Sequence, residues 1–112
     1  MTTTEKRKKN QKSKLDVSLA SAIREIRKSK HLTQESFATV SSRTYLGVLE
    51  RAEKQPAVDK IDSLARFMKV HPLTVLTLAY MKLENLSFEQ LMGVIGEEIS
   101  EWNNSDDFKE VP

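Results

Sequence analysis

The sequence predicts an all-α protein: a five-helix domain with a sixth, amphipathic helix added at its C-terminal end. Apolar residues recur at spacings of three and four through most of residues 15–102, which is the period of a helix with one buried face. Three Gly and three Pro in 112 residues are too few for a turn-rich β fold. Hydroxyl side chains that can cap a helix, Thr33, Ser41 or Ser42, and Ser87, stand where apolar stripes begin.

The first helix is expected from about Asp16 to Lys30, with Leu15, Leu19, Ala22, Ile23 and Ile26 as its stripe and Asp16 or Ser18 as its cap. His31 follows as a structural residue closing that helix. The second helix should run from Gln34 to about Val40, capped by Thr33, and the third from about Ser42 to Arg51, with Leu46 and Leu49 inward. Gly47 and Val48 are expected on the outward side of the third. The fourth helix should run from Ala57 to Lys69 with Val58, Ile61, Leu64, Ala65 and Met68 inward. The fifth starts at Pro72, a favourable first helical residue, and continues through Leu73, Leu76, Ala79 and Tyr80. Ser87–Gln90 reads as a capping box opening a sixth helix from Phe88 to Trp102. Its stripe of Phe88, Leu91, Met92, Ile95, Ile99 and Trp102 either packs on its own domain or pairs with a second chain. A core of five helices is already nearly complete, which favours the dimer.

Charge divides the chain more sharply than its net value of +2 suggests. Residues 1–14 carry Lys6, Arg7, Lys8, Lys9, Lys12 and Lys14 against one Glu, for +5. Residues 15–84 carry +3, and residues 85–112 carry −6. A basic front favours a polyanionic partner, and an acidic back stays away from it. Residues 1–14 are therefore read as a disordered basic arm, either a solubility tail or an arm following DNA phosphates. Residues 15–84 form the folded domain, 85–102 the added helix and 103–112 an acidic tail.

The same composition excludes several functions. Without Cys there is no disulfide, no thiol nucleophile and no Cys-ligated zinc. His31 and His71 are the only histidines, and His71 precedes Pro72 in a link between helices. No Gly-rich phosphate loop occurs. The acids of the sixth helix lack the partners that would complete a metal site. The chain is read as a non-enzyme without cofactor or metal. The basic start is not followed by an apolar run, and Leu73–Met81 is shorter than the roughly 20 residues a membrane span needs.

The functional signal lies in Leu32–Arg51, two short helices joined by a tight polar turn. A short helix whose first turn is exposed and carries Arg43 and Thr44 suits the reading of base edges: Arg can bridge O6 and N7 of guanine, and Thr can hydrogen-bond or touch a thymine methyl. Val48, one turn later, offers apolar contact. Tyr45, Arg51, Lys54 and Gln55 are placed for phosphates.

The L-T-Q-E opening at Leu32 and the S-R-T-Y-L-x-x-L-E-R run from Ser42 to Arg51 resemble the helix-turn-helix of Cro/C1-type (Xre-like) transcriptional regulators, over roughly residues 16–80. The resemblance implies an all-α, lambda-repressor-like domain that binds double-stranded DNA. It assigns DNA contacts to Gln34, Ser41, Ser42, Arg43, Thr44, Tyr45, Gly47, Val48, Arg51, Lys54 and Gln55, with the Gln34 amide donating to a phosphate. It also implies a structural pair of Arg27 and Glu50. The turn is two residues shorter than the family's usual one, so the second helix is expected to stop at Thr39 or Val40, with Val40 plugging the core. Ala52 stands where the family has a helix-ending Gly. A homodimeric repressor of bacterial or phage origin, acting in the cytoplasm on a palindromic operator, is the expected function. An antitoxin-like module using the last helix and acidic tail to bind another protein is the alternative.

Overall fold

Helix α1 (Lys14–Ser29) starts two residues ahead of the expected Asp16. Its cap is Ser13, whose hydroxyl accepts from the Asp16 N–H at 3.0 Å while the Asp16 carboxylate accepts from the Ser13 N–H at 3.3 Å. This reciprocal pair satisfies two otherwise orphaned donors, and Asp16 serves inside the helix rather than as its cap. The computed structural model describes residues 13–104. Lys14, assigned to the basic arm from sequence, is thus the first residue of α1, whereas Lys6, Arg7, Lys8, Lys9, Lys12 and the tail from 105 lie outside the described residues.

The chain continues through a single 3-10 turn, η1 (Gln34–Phe37), then α2 (Arg43–Glu50), α3 (Val58–Phe67), α4 (Pro72–Glu84) and α5 (Phe88–Asn103). No strand occurs among the described residues. The all-α fold class holds, but the second helix shrinks to η1 and ends at Phe37, before Thr39 or Val40. The closure of the turn accounts for this: the Val40 and Ser41 N–H groups both donate to the Phe37 carbonyl, and Ala38–Val40 reverse direction before Ser42 caps α2.

Four of the five α-helices end in a left-handed residue, and none of these residues is glycine: His31, Ala52, Lys69 and Asn85 have φ between 55° and 64°. Behind α2, the Ala52 N–H donates to the Leu49 carbonyl at 3.0 Å and the Glu53 N–H to the Val48 carbonyl at 2.9 Å. That pattern satisfies the last carbonyls of the helix, and α1 and α3 end in the same way. Each side chain in this conformation costs about 1–2 kcal/mol relative to a right-handed one.

α1 and α4 make the most extensive contact, and α3 packs on α4. Ile23, Phe37, Leu46, Leu49, Leu64, Met68 and Val75 are fully enclosed between them. The Phe37 ring meets that of Phe67 with centroids 4.6 Å apart and tilted by 50°, which seats η1 on α3. Val40 packs against the edge of this core.

Three residues depart from the inward set. Val58 is 76% exposed, because it is the first residue of α3 and projects past the neighbouring elements. On α4, Leu73 (61% exposed) and Tyr80 lie outside, while Val75 and Ala79 point in. Both faces of α4 are apolar, so spacing alone could not select the buried one.

α5 is capped by Ser87, which accepts from the Gln90 N–H at 3.0 Å. It packs on α4 chiefly through Leu91, which is buried. Its stripe is therefore split. Leu91 is buried and Met92 half-buried, whereas Phe88, Ile95, Ile99 (51% exposed) and Trp102 are exposed. Among the described residues, no helix is long and apolar enough to cross a membrane.

Candidate nucleic-acid interface

α2 is an eight-residue helix, too short to persist alone, and it is fixed at both ends. At its start the Ser42 hydroxyl accepts the Tyr45 N–H at 3.0 Å. Ser42 is thus the capping member of the Ser41/Ser42 pair. Ser41 is half-buried and its hydroxyl is enclosed without a hydrogen-bond partner among the described residues, so it faces the protein instead of the surface.

At the other end, Glu50 anchors α2 to α1. Its carboxylate accepts from Arg27 Nε at 2.6 Å and Nη2 at 3.0 Å, and from the Gln34 amide at 3.1 Å. Arg27 Nη1 donates to the Leu32 carbonyl at 2.8 Å. The two charged side chains are only 10% and 4% exposed, so the pair lies in a dry layer between α1, η1 and α2. Coulomb attraction there is stronger than at a surface, and an unpaired member would be costly.

Leu46 and Leu49 point into the core, which at about 100° per residue leaves Thr44 and Val48 on the opposite side. Thr44 is exposed and Val48 half-buried. Arg43 occupies the first helical position, beside the Ser42 cap. Gly47, expected on the outward side, is buried instead. A Cβ placed there would meet Arg51 Nη1 at 3.0 Å and Gln34 Oε1 at 3.7 Å, so these two side chains cover it. Arg51 is exposed and pairs with Glu53, Nε to Oε2 at 2.9 Å. The hydrogen bond and charge of Glu53 raise the Arg51 pKa above its ordinary value. Lys54 and Gln55 are exposed in the loop that follows.

Tyr45, assigned to phosphates from sequence, is half-buried; its ring packs against the core edge, where Lys60 Nζ stands 5.2 Å from the ring centroid. Sequence reasoning passed over Lys60 altogether, since nothing in its position 15 residues after Tyr45 signals the contact. It also passed over His71 as a cap: the imidazole Nδ1 accepts the Leu73 N–H at 3.0 Å and opens α4. No cluster of metal-ligating side chains is found among the described residues.

Two short helical segments, joined by the Gln34–Glu50 hydrogen bond, with the second tied to α1 by a buried ion pair and presenting its N-terminal turn to solvent, make up a helix-turn-helix. The family model described as Helix-turn-helix matches residues 23–75, from the middle of α1 to the start of α4. This stretch is a Cro/C1-type (Xre-like) helix-turn-helix, a family of DNA-binding transcription regulators. No curated protein and no solved structure matches the chain significantly. α5 lies outside the matched stretch.

Proposed function

We propose that this chain is a sequence-specific regulator that binds double-stranded DNA as a homodimer and represses transcription, with α2 in the major groove. The observation that carries the reading is the solvent-facing N-terminal turn of α2, held rigidly by Ser42 and by the Arg27–Glu50 pair. Arg43 and Thr44 open that turn and are assigned to base edges; Gln34, Arg51, Lys54 and Gln55 flank it and are assigned to phosphates. Arg51 would exchange Glu53 for a phosphate, and Gln34 would share its amide between Glu50 and a phosphate. Lys6, Arg7, Lys8, Lys9 and Lys12 would extend the electrostatic footprint along the duplex.

The dimer reading is supported by the exposed part of the α5 stripe, Phe88, Ile95, Ile99 and Trp102, beside the exposed Leu73 of α4. Single exposed apolar residues are ordinary, but a contiguous set of this size marks an interface. Two copies would place their α2 helices in successive major grooves about 10–10.5 base pairs apart.

Selection from a random duplex pool tests the proposal. A palindrome with that spacing is expected. An absence of any enriched site, combined with binding to a co-purified protein through α5, would favour the antitoxin-like reading. Sedimentation at tens of micromolar should give a dimer, and a monomer would remove that part of the proposal. Arg43→Ala should relax discrimination at one base pair, at a cost of about 1–3 kcal/mol, while Lys8→Ala should weaken all duplexes alike.

A further inference from the structure

Lys60 sits in the first turn of α3, where a cation works against the helix dipole. Its side chain is half-buried and turns back toward the helix-turn-helix. Nζ donates to the Val40 carbonyl at 3.1 Å and stands over the Tyr45 ring, 5.2 Å from its centroid. One ammonium therefore touches both sides of the turn, the residue that closes η1's exit and the first turn of α2. Both contacts favour a cation: a charged donor strengthens the bond to a carbonyl, and the ring face is electronegative.

The turn needs such a support. It contains no left-handed residue and leaves the Ser41 hydroxyl enclosed without a partner among the described residues. Its backbone is closed by the Val40 and Ser41 N–H groups, which both donate to the Phe37 carbonyl at 2.9 and 2.8 Å. α2 itself touches η1 and α1 more extensively than α3. Lys60 supplies a polar link from α3 to the turn.

We infer that Lys60 is a positioning residue that sets the angle of α2 through Val40 and Tyr45, and thereby determines sequence discrimination without itself meeting DNA. The inference rests on the DNA-reading role proposed for α2. Lys60→Met keeps the aliphatic stem and removes only the ammonium.

With the full chain and the duplex obtained by selection, Lys60→Met should bind that duplex about tenfold more weakly and a scrambled duplex within about twofold of wild type. The dependence of affinity on salt should keep its slope, and Lys60→Arg should restore discrimination. In the absence of DNA, hydrogen exchange should accelerate about tenfold at the Val40 and Ser41 amides and stay unchanged at Ile23. Equal weakening on both duplexes with a salt slope lower by about one would make Lys60 a phosphate contact and overturn the inference. Faster exchange throughout the chain with unchanged discrimination would reduce Lys60 to general stability, again overturning it. If the wild-type chain enriched no duplex, the DNA reading would fail and the effect on discrimination with it. The exchange measurement would still decide whether Lys60 holds the turn.

Discussion

Replacing Glu50 by Ala tests how α2 is attached to the rest of the molecule. The Glu50 carboxylate accepts three hydrogen bonds, two from Arg27 and one from Gln34, in a site where its side chain is 4% exposed. Deleting it leaves a buried guanidinium with the Leu32 carbonyl but without its counter-charge. The expected cost is about 3–5 kcal/mol, the range for breaking one partner of a buried pair. Against a typical total of about 5–15 kcal/mol this is a large fraction. For a domain of this size each kcal/mol moves Tm by about 4–8 °C, so the variant should melt at least about 12 °C lower. Urea unfolding followed by far-UV circular dichroism should show a lower midpoint with unchanged slope. The double variant Arg27→Met with Glu50→Leu should lose less than Glu50→Ala, because no charge is left stranded. A loss below about 1 kcal/mol for Glu50→Ala would put the pair among surface ion pairs and refute the dry-layer reasoning.

Four further substitutions follow from the backbone and the turn. Ser41→Ala removes an enclosed hydroxyl that has no partner among the described residues; stability should rise by about 1 kcal/mol, and a fall in Tm would show that the hydroxyl is satisfied. Lys69→Gly relieves a left-handed side chain at an exposed site (φ 64°) and should gain about 0.5–1 kcal/mol after the added freedom of the unfolded chain is subtracted. Ala52→Gly relieves a similar φ of 59° but also gives up a buried methyl worth about 0.8 kcal/mol, so its net change should be near zero; paired thermal melts would separate the two sites. Gly47→Ala should stabilise α2 by about 0.5–1 kcal/mol through helix propensity, because the atom nearest the new methyl is the movable end of Arg51, 3.0 Å away; a loss of stability would mean that Arg51 cannot shift.

The all-α class and the order of elements were legible because apolar spacing and capping hydroxyls agree along the chain. Thr33, Ser42 and Ser87 each cap a helical segment. The length of η1 was not legible, because a turn without glycine can be closed in more than one way and backbone bonding chose a single 3-10 turn. α4 defeated spacing for another reason: Leu73 and Tyr80 are as apolar as Val75 and Ala79, and only the neighbours decide which side is covered. At the candidate interface, Thr44 could be placed from helical angle alone. Gly47 could not, because its burial comes from Arg51 and Gln34 reaching over it. Lys60 was invisible for the same reason: its partners, Val40 and Tyr45, are brought to it by the fold and not by sequence distance.

The attachment of α2 at both ends also bears on kinetics. Ser42 fixes its start and Arg27 fixes Glu50 at its finish, so the helix is ordered before any partner arrives. A recognition element that is already rigid loses little entropy on docking. Loosening either end should therefore leave encounter rates nearly unchanged and shorten residence time, since changes within one interface fall mainly on dissociation. For this protein, slackness in α2 would appear as complexes that form readily and do not last.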